Sequence, residues 1–342
     1  MNRSGGARGA AWEHETTSTR RSFFRLVAVA TVLAPLGRRA EASPLRIAVL
    51  GSGAAQSSGI FVDALKDGLR DNGLVESRDY VLDVRWAEGN YTRFSAFARD
   101  AVDQKAAVIL VTTIEAVRAA QRATTTVPIV MTTINDPVGV GLVPNLARPG
   151  GNTTGIANLT EDVTPKVVEI LRAVVPAART VAVLFNPANP SNRLMLHTIQ
   201  TQAGSKGLGF VPTEMKIPAE LDAAFEALTP RRADALLVIN DATILDQRER
   251  VVALAVRHRL PAFSSFPEFT AAGAVASYGP SRLKLYRRSA YYVKRIVDGA
   301  KPGDLPIEQP TQIELSINLK AAKGLGLTIP PSLLLRADQI IE

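Results

Sequence analysis

At 342 residues the chain is long enough for two hydrophobic cores rather than one. Apolar residues at 46% and charged residues at 21% exclude an intrinsically disordered chain. The absence of cysteine excludes disulfides, thiolate catalysis, cysteine-ligated metals and lipid attachment at an N-terminal cysteine. The net charge of +8 invites a nucleic-acid partner, but seven Arg against three acidic residues in 1–42 carry half of it. No dense basic run with interleaved aromatics remains after residue 42, and Arg287-Arg288 and Lys294-Arg295 fall on one amphipathic helix, where a solvated face accounts for them. No nucleic-acid partner is expected.

Residues 1–42 read as an export signal that is removed. A polar stretch carries Arg20-Arg21-Ser22-Phe23-Phe24, a twin-arginine-like pattern, and an apolar stretch of about 11 residues runs from Leu26 to Leu36. Ala40-Glu41-Ala42 places small residues where a signal peptidase needs them. The apolar stretch is short of the roughly 20 residues that span a bilayer. The expected mature chain begins at Ser43 and is exported, to the periplasm.

From Arg46 the pattern alternates between short apolar runs and amphipathic stretches. Arg46 to Leu50 predicts a strand, Gly51 to Ser58 a loop, and Phe61 to Asn72 a helix that Gly73 can cap. Strands follow at Tyr80 to Trp86, Ala107 to Val111 and Val127 to Thr132, with helices over Tyr91 to Gln104 and, after Thr112-Thr113, to about Arg122. The run Val127 to Met131 ends in Asn135-Asp136-Pro137. A Gly/Pro-rich connection then leads to a β-prone stretch at Asn152 to Ala157. Strands and helices at this spacing imply a parallel, doubly wound sheet.

The rhythm restarts after Thr160. Thr164-Pro165 predicts the opening of a helix running to Val174, with Pro in its first turn. Strands are expected at Thr180 to Phe185, Phe210 to Ile217, Ala235 to Ile239, Leu260 to Phe263 and Ala274 to Tyr278. Helices are expected at Asn192 to Ala203, Ala219 to Leu228 and Leu245 to His258. A helix at Arg282 to Val297, a Pro-rich connection (Pro302 to Pro310), a strand at Gln312 to Ile317 and a short helix at Asn318 to Lys323 complete the pattern. The expected fold is α/β: two doubly wound parallel-sheet lobes joined by a multi-strand hinge. The first lobe takes 43–157 plus 281–308 and the second 158–280 plus 309–342, with crossings near Ala157, Tyr278 and Pro310. Such a hinge permits closure around a ligand.

The residues offer little chemistry of their own. His197 and His258 lack a partner at metal-ligand spacing, no serine sits in a G-x-S-x-G elbow, and Gly51-Ser52-Gly53 lacks the third glycine of a dinucleotide loop. No catalytic residue, metal or cofactor is expected. What remains is a set of polar residues at predicted strand ends, where open α/β sheets bind ligands. They are Ser52 and Gln56, Thr112 and Thr113, Asn135 and Asp136, Asn186, Asn240 and Asp241, and Ser264 with Ser265. Thr112 and Thr113 precede a helix and suit a carboxylate. Asp136 either accepts from an ammonium or caps the turn before Val138, Asn186 carries the same two readings, and Asp241 either faces ligand or caps the following helix. Tyr278 either packs in the hinge or touches ligand; Phe266, Phe269 and Tyr91 line an apolar pocket or belong to the core.

A resemblance narrows these alternatives. The residues that carry it are Val127-Pro128-Ile129-Val130, Asn135-Asp136-Pro137-Val138-Gly139, Arg148-Pro149-Gly150-Gly151-Asn152, Thr154-Gly155, Ser277-Tyr278-Gly279 and Ile317-Asn318-Leu319-Lys320. With these the sequence resembles the substrate-binding proteins of bacterial ABC transporters, of the type I periplasmic-binding fold, across Arg46 to Glu342. Within them it is similar to the members that bind tryptophan or tyrosine. The resemblance implies a non-enzymatic protein that closes on a small solute, such as an aromatic or branched amino acid, and delivers it to an ABC permease in the membrane. A ligand-sensing module for a receptor and a two-domain α/β enzyme are the alternatives. The chain differs from the amino-acid binders of this group in its twin-arginine-like leader and in a first loop, Gly51 to Ser58, without an aromatic residue.

Overall fold

The structure, a computed structural model, describes residues 43–158, 160–204, 207–228 and 233–342. The reading of 1–42 as a twin-arginine-like leader lies outside the described residues.

The first sheet is five parallel strands, β1 (Leu45–Gly51), β2 (Tyr80–Trp86), β3 (Val108–Val111), β4 (Ile129–Asn135) and β5 (Thr153–Asn158), in the order β2-β1-β3-β4-β5. Their central members are short continuous apolar runs because both faces are covered. On one face Ile47 and Val49 of β1 meet Leu65 and Leu69 of α1 (Ala55–Asp71). On the other, Ala48 and Leu50 meet Phe94 and Ala98 of α2 (Phe94–Asp103) and Val117 of α3 (Ile114–Ala123). The period-2 alternation of a strand thus feeds two helical layers.

The second sheet holds seven strands. They are β6 (Thr180–Phe185), β7 (Gly209–Glu214), β8 (Ala235–Val238), β9 (Ala262–Ser264), β10 (Ala276–Gly279), β11 (Glu314–Asn318) and β12 (Gln339–Ile341), in the order β12-β11-β10-β9-β8-β6-β7. β6 through β10 are mutually parallel, and β11 runs antiparallel to β10. The helices of this half are α4 (Thr160–Val174), α5 (Pro190–Gly204), α6 (Leu221–Glu226), α7 (Ala242–Asp246), α8 (Arg248–Arg257) and α9 (Pro267–Ala271). Beyond them α10 (Arg282–Val297) packs back on α1, and α11 (Leu319–Gly324) and α12 (Pro331–Leu334) flank β11 and β12. Gly68 of α1 has no room for a Cβ against the Arg287 carbonyl, so α1 and α10 lie in close contact. The architecture is the α/β one expected, two lobes each with a sheet between helices: the first sheet is parallel throughout, and the second is parallel over β6 to β10 with β11 and β12 reversed at its edge.

Three segments carry the chain between the sheets: after β5, after β10 and before β11. Two of them are hydrogen-bonded to each other, Ala157 N–H to the Glu308 carbonyl at 2.8 Å and Glu308 N–H to the Gly155 carbonyl at 3.0 Å. The third is held by the β10–β11 pairing.

Several boundaries differ from the sequence reading, each for a local reason. The helix expected to open at Thr164-Pro165 begins at Thr160, because the apolar stripe Val163, Val167, Leu171 continues upstream of the proline; Pro165 therefore sits inside α4. The helix expected over Leu245 to His258 is two, α7 and α8, separated at Gln247 (φ −102°, ψ 14°). The loop expected over Gly51 to Ser58 ends early, since α1 starts at Ala55. The short elements α9, α12 and β12 had no signal strong enough to separate them from loop.

Gly155 shows what the first crossing demands. Its φ is +131°, and a Cβ there would run into the backbone of Met131 on β4. Gly155→Ala should cost about 2 kcal/mol or more of stability. Urea unfolding of the variant beside the parent checks this; coincident midpoints would refute it.

Candidate functional site

The C-terminal ends of the two parallel sheets face each other across a cavity of about 50 Å³. Thr112, Thr113 and Ile114 reach it from the β3–α3 junction, Thr133, Ile134 and Asn135 from the end of β4, and Asn158 from the end of β5. Opposite lie Asn189 and Ser191 at the start of α5, Asn240, Asp241 and Ala242 after β8, and Phe266 after β9; Arg282 enters from the start of α10.

Each wall is built by helix ends. Thr113 is the N-cap of α3, its hydroxyl accepting from Ala116 N–H at 3.2 Å, and the Thr112 hydroxyl donates to the Leu50 carbonyl at 3.2 Å. Asp241 is the N-cap of α7. Its Oδ1 accepts from Thr243 N–H (2.9 Å), Ile244 N–H (3.4 Å) and Asn186 Nδ2 (3.2 Å), and its Oδ2 accepts from Asn189 Nδ2 (2.9 Å). Asn192 clamps the same two loops: its Oδ1 accepts from Asn186 N–H at 3.0 Å and its Nδ2 donates to the Asn240 carbonyl at 3.0 Å. The side chains of Asn189, Ser191 and Asn240 are thereby aimed by a rigid polar frame.

Several buried polar atoms around the cavity have no hydrogen-bond partner among the described residues: Asn158 Oδ1, Ser191 Oγ, both amide atoms of Asn240, and Arg282 Nε. Buried polar groups in folded proteins are normally paired, so this clustering marks a place meant for another molecule. The Arg282 guanidinium lies over the rings of Phe61 (5.2 Å), Phe266 (5.4 Å) and Tyr286 (5.7 Å), without a carboxylate at ion-pair distance among the described residues. The Glu268 carboxylate nearby accepts from Arg282 N–H at 2.9 Å, and its burial pushes its pKa up.

The two lobes also touch outside the cavity. Asp246, at the end of α7, accepts from the hydroxyls of Ser58 and Ser57 on α1, the latter at 3.4 Å. Gly53 lies against the same carboxylate with no space for a Cβ. Arg248 Nη1 donates to the Ser57 carbonyl at 3.1 Å, and the hydroxyls of Tyr91 and Thr243 meet at 2.9 Å. Burial pushes the Asp246 carboxyl up to about 6, against the opposing influence of Ser58, Arg282 and Ser57, and drives the Tyr91 phenol well above its ordinary value.

Of the residues expected at the site, Thr112, Thr113, Asn135, Asn240 and Asp241 line the cavity together. The others stand elsewhere. Ser52 is buried at the end of β1, where its carbonyl accepts from Gly89 N–H at 2.9 Å. Gln56 is exposed in the first turn of α1. Asp136, at φ +36°, turns its Oδ1 to Gly139 N–H at 2.8 Å and serves the turn. Asn186 stands behind the wall, bonded to Asp241. The Ser264 hydroxyl accepts from Phe266 N–H at 3.2 Å, and Ser265 is buried with its carbonyl against Gly279. Tyr278 packs on the core of the second lobe, and Phe269 lies wholly within its own core. Asn158, Asn189, Ser191 and Arg282 were not anticipated. The Asn-Pro-Ala-Asn-Pro-Ser run at 186–191 was the one available signal for two of them.

Comparison with known proteins decides the class. A family model described as ABC transporter substrate binding protein matches residues 47–341. The chain belongs to this family. A tyrosine-binding protein of Clostridioides difficile is 25% identical to it over 260 residues, 76% of this chain and 74% of that protein. Among solved structures, an ABC domain in complex with L-Trp from Streptococcus pneumonia is 26% identical, with TM-score 0.78, covering 87% of this chain and all of that one. A conserved domain protein of Vibrio cholerae is 27% identical with TM-score 0.79 at the same coverage. A 5-methylthioribose transporter solute-binding protein of Thermotoga lettingae, 14% identical with TM-score 0.60, shares the fold. This ABC transporter substrate-binding protein therefore has a solute-binding role, and its family and relatives are binding proteins rather than enzymes. Among the described residues no helix is long and apolar enough to cross a membrane, and no cluster of acidic and histidine residues could hold a metal ion.

Two substitutions separate frame from cleft. Asp136→Ala removes a turn bond and should lower stability by about 1 kcal/mol. Asn240→Ala removes two unpartnered buried atoms and should leave the solute-free protein as stable or up to about 1 kcal/mol more so. Thermal unfolding of both variants tests the assignment, and the opposite order would overturn it.

Proposed function

We propose that this substrate-binding protein is exported to the periplasm, captures a small molecule, an amino acid in its zwitterionic form, between its lobes, and presents the closed form to an ABC permease. The observation that carries the reading is the charge of the cavity wall. Its charged lining residues are one carboxylate, Asp241, and one guanidinium, Arg282, set among neutral amides and hydroxyls. That is the complement of a zwitterion.

The Thr113 hydroxyl and the N-terminus of α3 supply donors for a carboxylate, favoured there by the helix dipole. The unpartnered oxygens of Asn158 and Asn240 supply acceptors for an ammonium. Ile114, Ile134 and Phe266 offer an apolar side to the solute's side chain. Relatives that bind tyrosine or carry L-Trp support an aromatic or branched amino acid.

A water needs on the order of 10–15 Å³ of such space, so the cavity of about 50 Å³ has room for only a few waters. A larger side chain enters by separation of the lobes. The moving bodies in this reading are 43–157 with 281–308 and 158–280 with 309–342, turning on the three crossings. Solute binding shifts the open–closed equilibrium and no covalent step follows.

Thermal-shift titration of the purified protein with L-tryptophan, L-tyrosine, branched aliphatic amino acids, sugars and nucleosides tests this. A bound amino acid should stabilise by about 2.7 kcal/mol at a hundredfold excess over its Kd. Stabilisation by sugars or nucleosides alone would refute the zwitterion reading.

A further inference from the structure

The two charged residues of the cavity wall are not equivalent. The Asp241 carboxylate is already engaged: its oxygens accept from Thr243 N–H, Ile244 N–H, Asn186 Nδ2 and Asn189 Nδ2. The Arg282 side chain is not. It is 4% exposed, its Nε is buried without a partner among the described residues, and its Nη2 reaches the Tyr286 hydroxyl at a long 3.4 Å.

No carboxylate among the described residues neutralises it at ion-pair distance. Glu268 Oε1 accepts from the backbone N–H groups of Arg282 and Leu283, and its other oxygen is unpartnered. Asp246 Oδ1 accepts from the hydroxyls of Ser57 and Ser58. The neighbours that do cover the guanidinium are aromatic: Phe61, Phe266 and Tyr286, with ring centroids at 5.2, 5.4 and 5.7 Å. Rings attract the charge but leave in-plane N–H groups in want of acceptors. The Nε edge of a guanidinium presents two parallel donors that match the two oxygens of a carboxylate.

We infer that Arg282 is the specificity-determining residue of the cleft: it takes the solute's carboxylate on its Nε edge, so that a free carboxylate is required of the solute and an ammonium is not. The inference rests on the cavity being the solute site and ranks the two ends of the zwitterion.

The ranking follows from what each end meets. The acceptors free for an ammonium are neutral, Asn158 Oδ1, Asn240 Oδ1 and Ser191 Oγ. A carboxylate at Arg282 meets a buried cation, and burial strengthens the pair because water is excluded from it. The start of α3 also offers donors, but Glu115 stands in its first turn, so a carboxylate there meets a like charge. Arg282 also joins both lobes. It opens α10 beside the second crossing, its N–H is held by Glu268 of α9, and its guanidinium lies between rings of the first lobe (Phe61) and the second (Phe266).

Calorimetric titration of the purified protein with matched series tests this. The amino acids are L-tryptophan, L-tyrosine and L-leucine. Their amine-free acids are indolepropionate, desaminotyrosine and isocaproate, and their carboxylate-free amines are tryptamine, tyramine and isopentylamine. In the series that binds, the acid should stay within about tenfold of the amino acid. The amine should be about a hundredfold weaker or more. Arg282→Gln should weaken the amino acid by about a hundredfold or more, and Arg282→Lys, which keeps a charge but has no paired N–H edge, by at least about tenfold.

An amine that binds as tightly as its acid, or no binding by any of the acids, would overturn the inference. So would parent affinity in a folded Arg282→Gln variant, and if amino acids bind there the zwitterion reading survives alone. Acids that bind where the amino acids do not would remove the zwitterion reading and leave the role of Arg282 standing. The series on the parent protein decides the question even where the variants fail to fold.

Discussion

Asp241 is buried, with no cation at ion-pair distance among the described residues, so neutral dipoles hold its charge. Two backbone N–H groups at the start of α7 and two asparagine amides, Asn186 and Asn189, supply them. Removing a donor would leave a buried charge short of hydrogen bonds, a costly state. The loop after β6 and the loop after β8 are therefore fixed to each other through one side chain. The second lobe's half of the cleft inherits its geometry from that bond set, including the direction of Asn240 and the seating of Ser191.

The cleft and the α1–α7 contact stand in different relations to the solute. Around the cavity, unpartnered atoms of Asn158, Ser191 and Asn240 make closure without solute unfavourable, because each buried group forfeits its bonds to water. A solute that supplies those bonds removes the penalty, and the gain appears only in the closed form. At the α1–α7 contact the hydroxyls of Ser57 and Ser58 donate to Asp246, away from the cavity. In the proposed binding cycle the equilibrium position is set by occupancy, which acts at the amides.

Much of the fold was legible in the sequence because buried parallel strands have few ways to be written. Val108–Val111, Val181 to Phe185 and Ala235–Val238 are continuous apolar runs, and α10 spans the predicted Arg282 to Val297 because Ser281 caps it and its apolar stripe is regular. The site was legible where a polar residue directly follows such a run: Thr112 and Thr113 after β3, Asn135 at the end of β4, Asn240 and Asp241 after β8. Asn189 and Ser191 lie past a proline turn that hides their direction. Arg282 looks like any cation on an amphipathic helix, and only the rings of Phe61 and Phe266, distant in sequence, give it a different environment. The pairing of Ser58 with Asp246 spans 188 positions and exists only once two lobes have met. Asp136 shows the converse, since Asp-Pro at a strand end is written the same way whether it faces a ligand or closes a turn.

Gly53 sits at the seam where the lobes close. Its missing side chain is a clearance, of the kind a machinist leaves between a door and its frame. The space is filled by the Asp246 carboxylate and the Ser58 hydroxyl, so a methyl group there has to push both side chains aside, at a point outside the cavity.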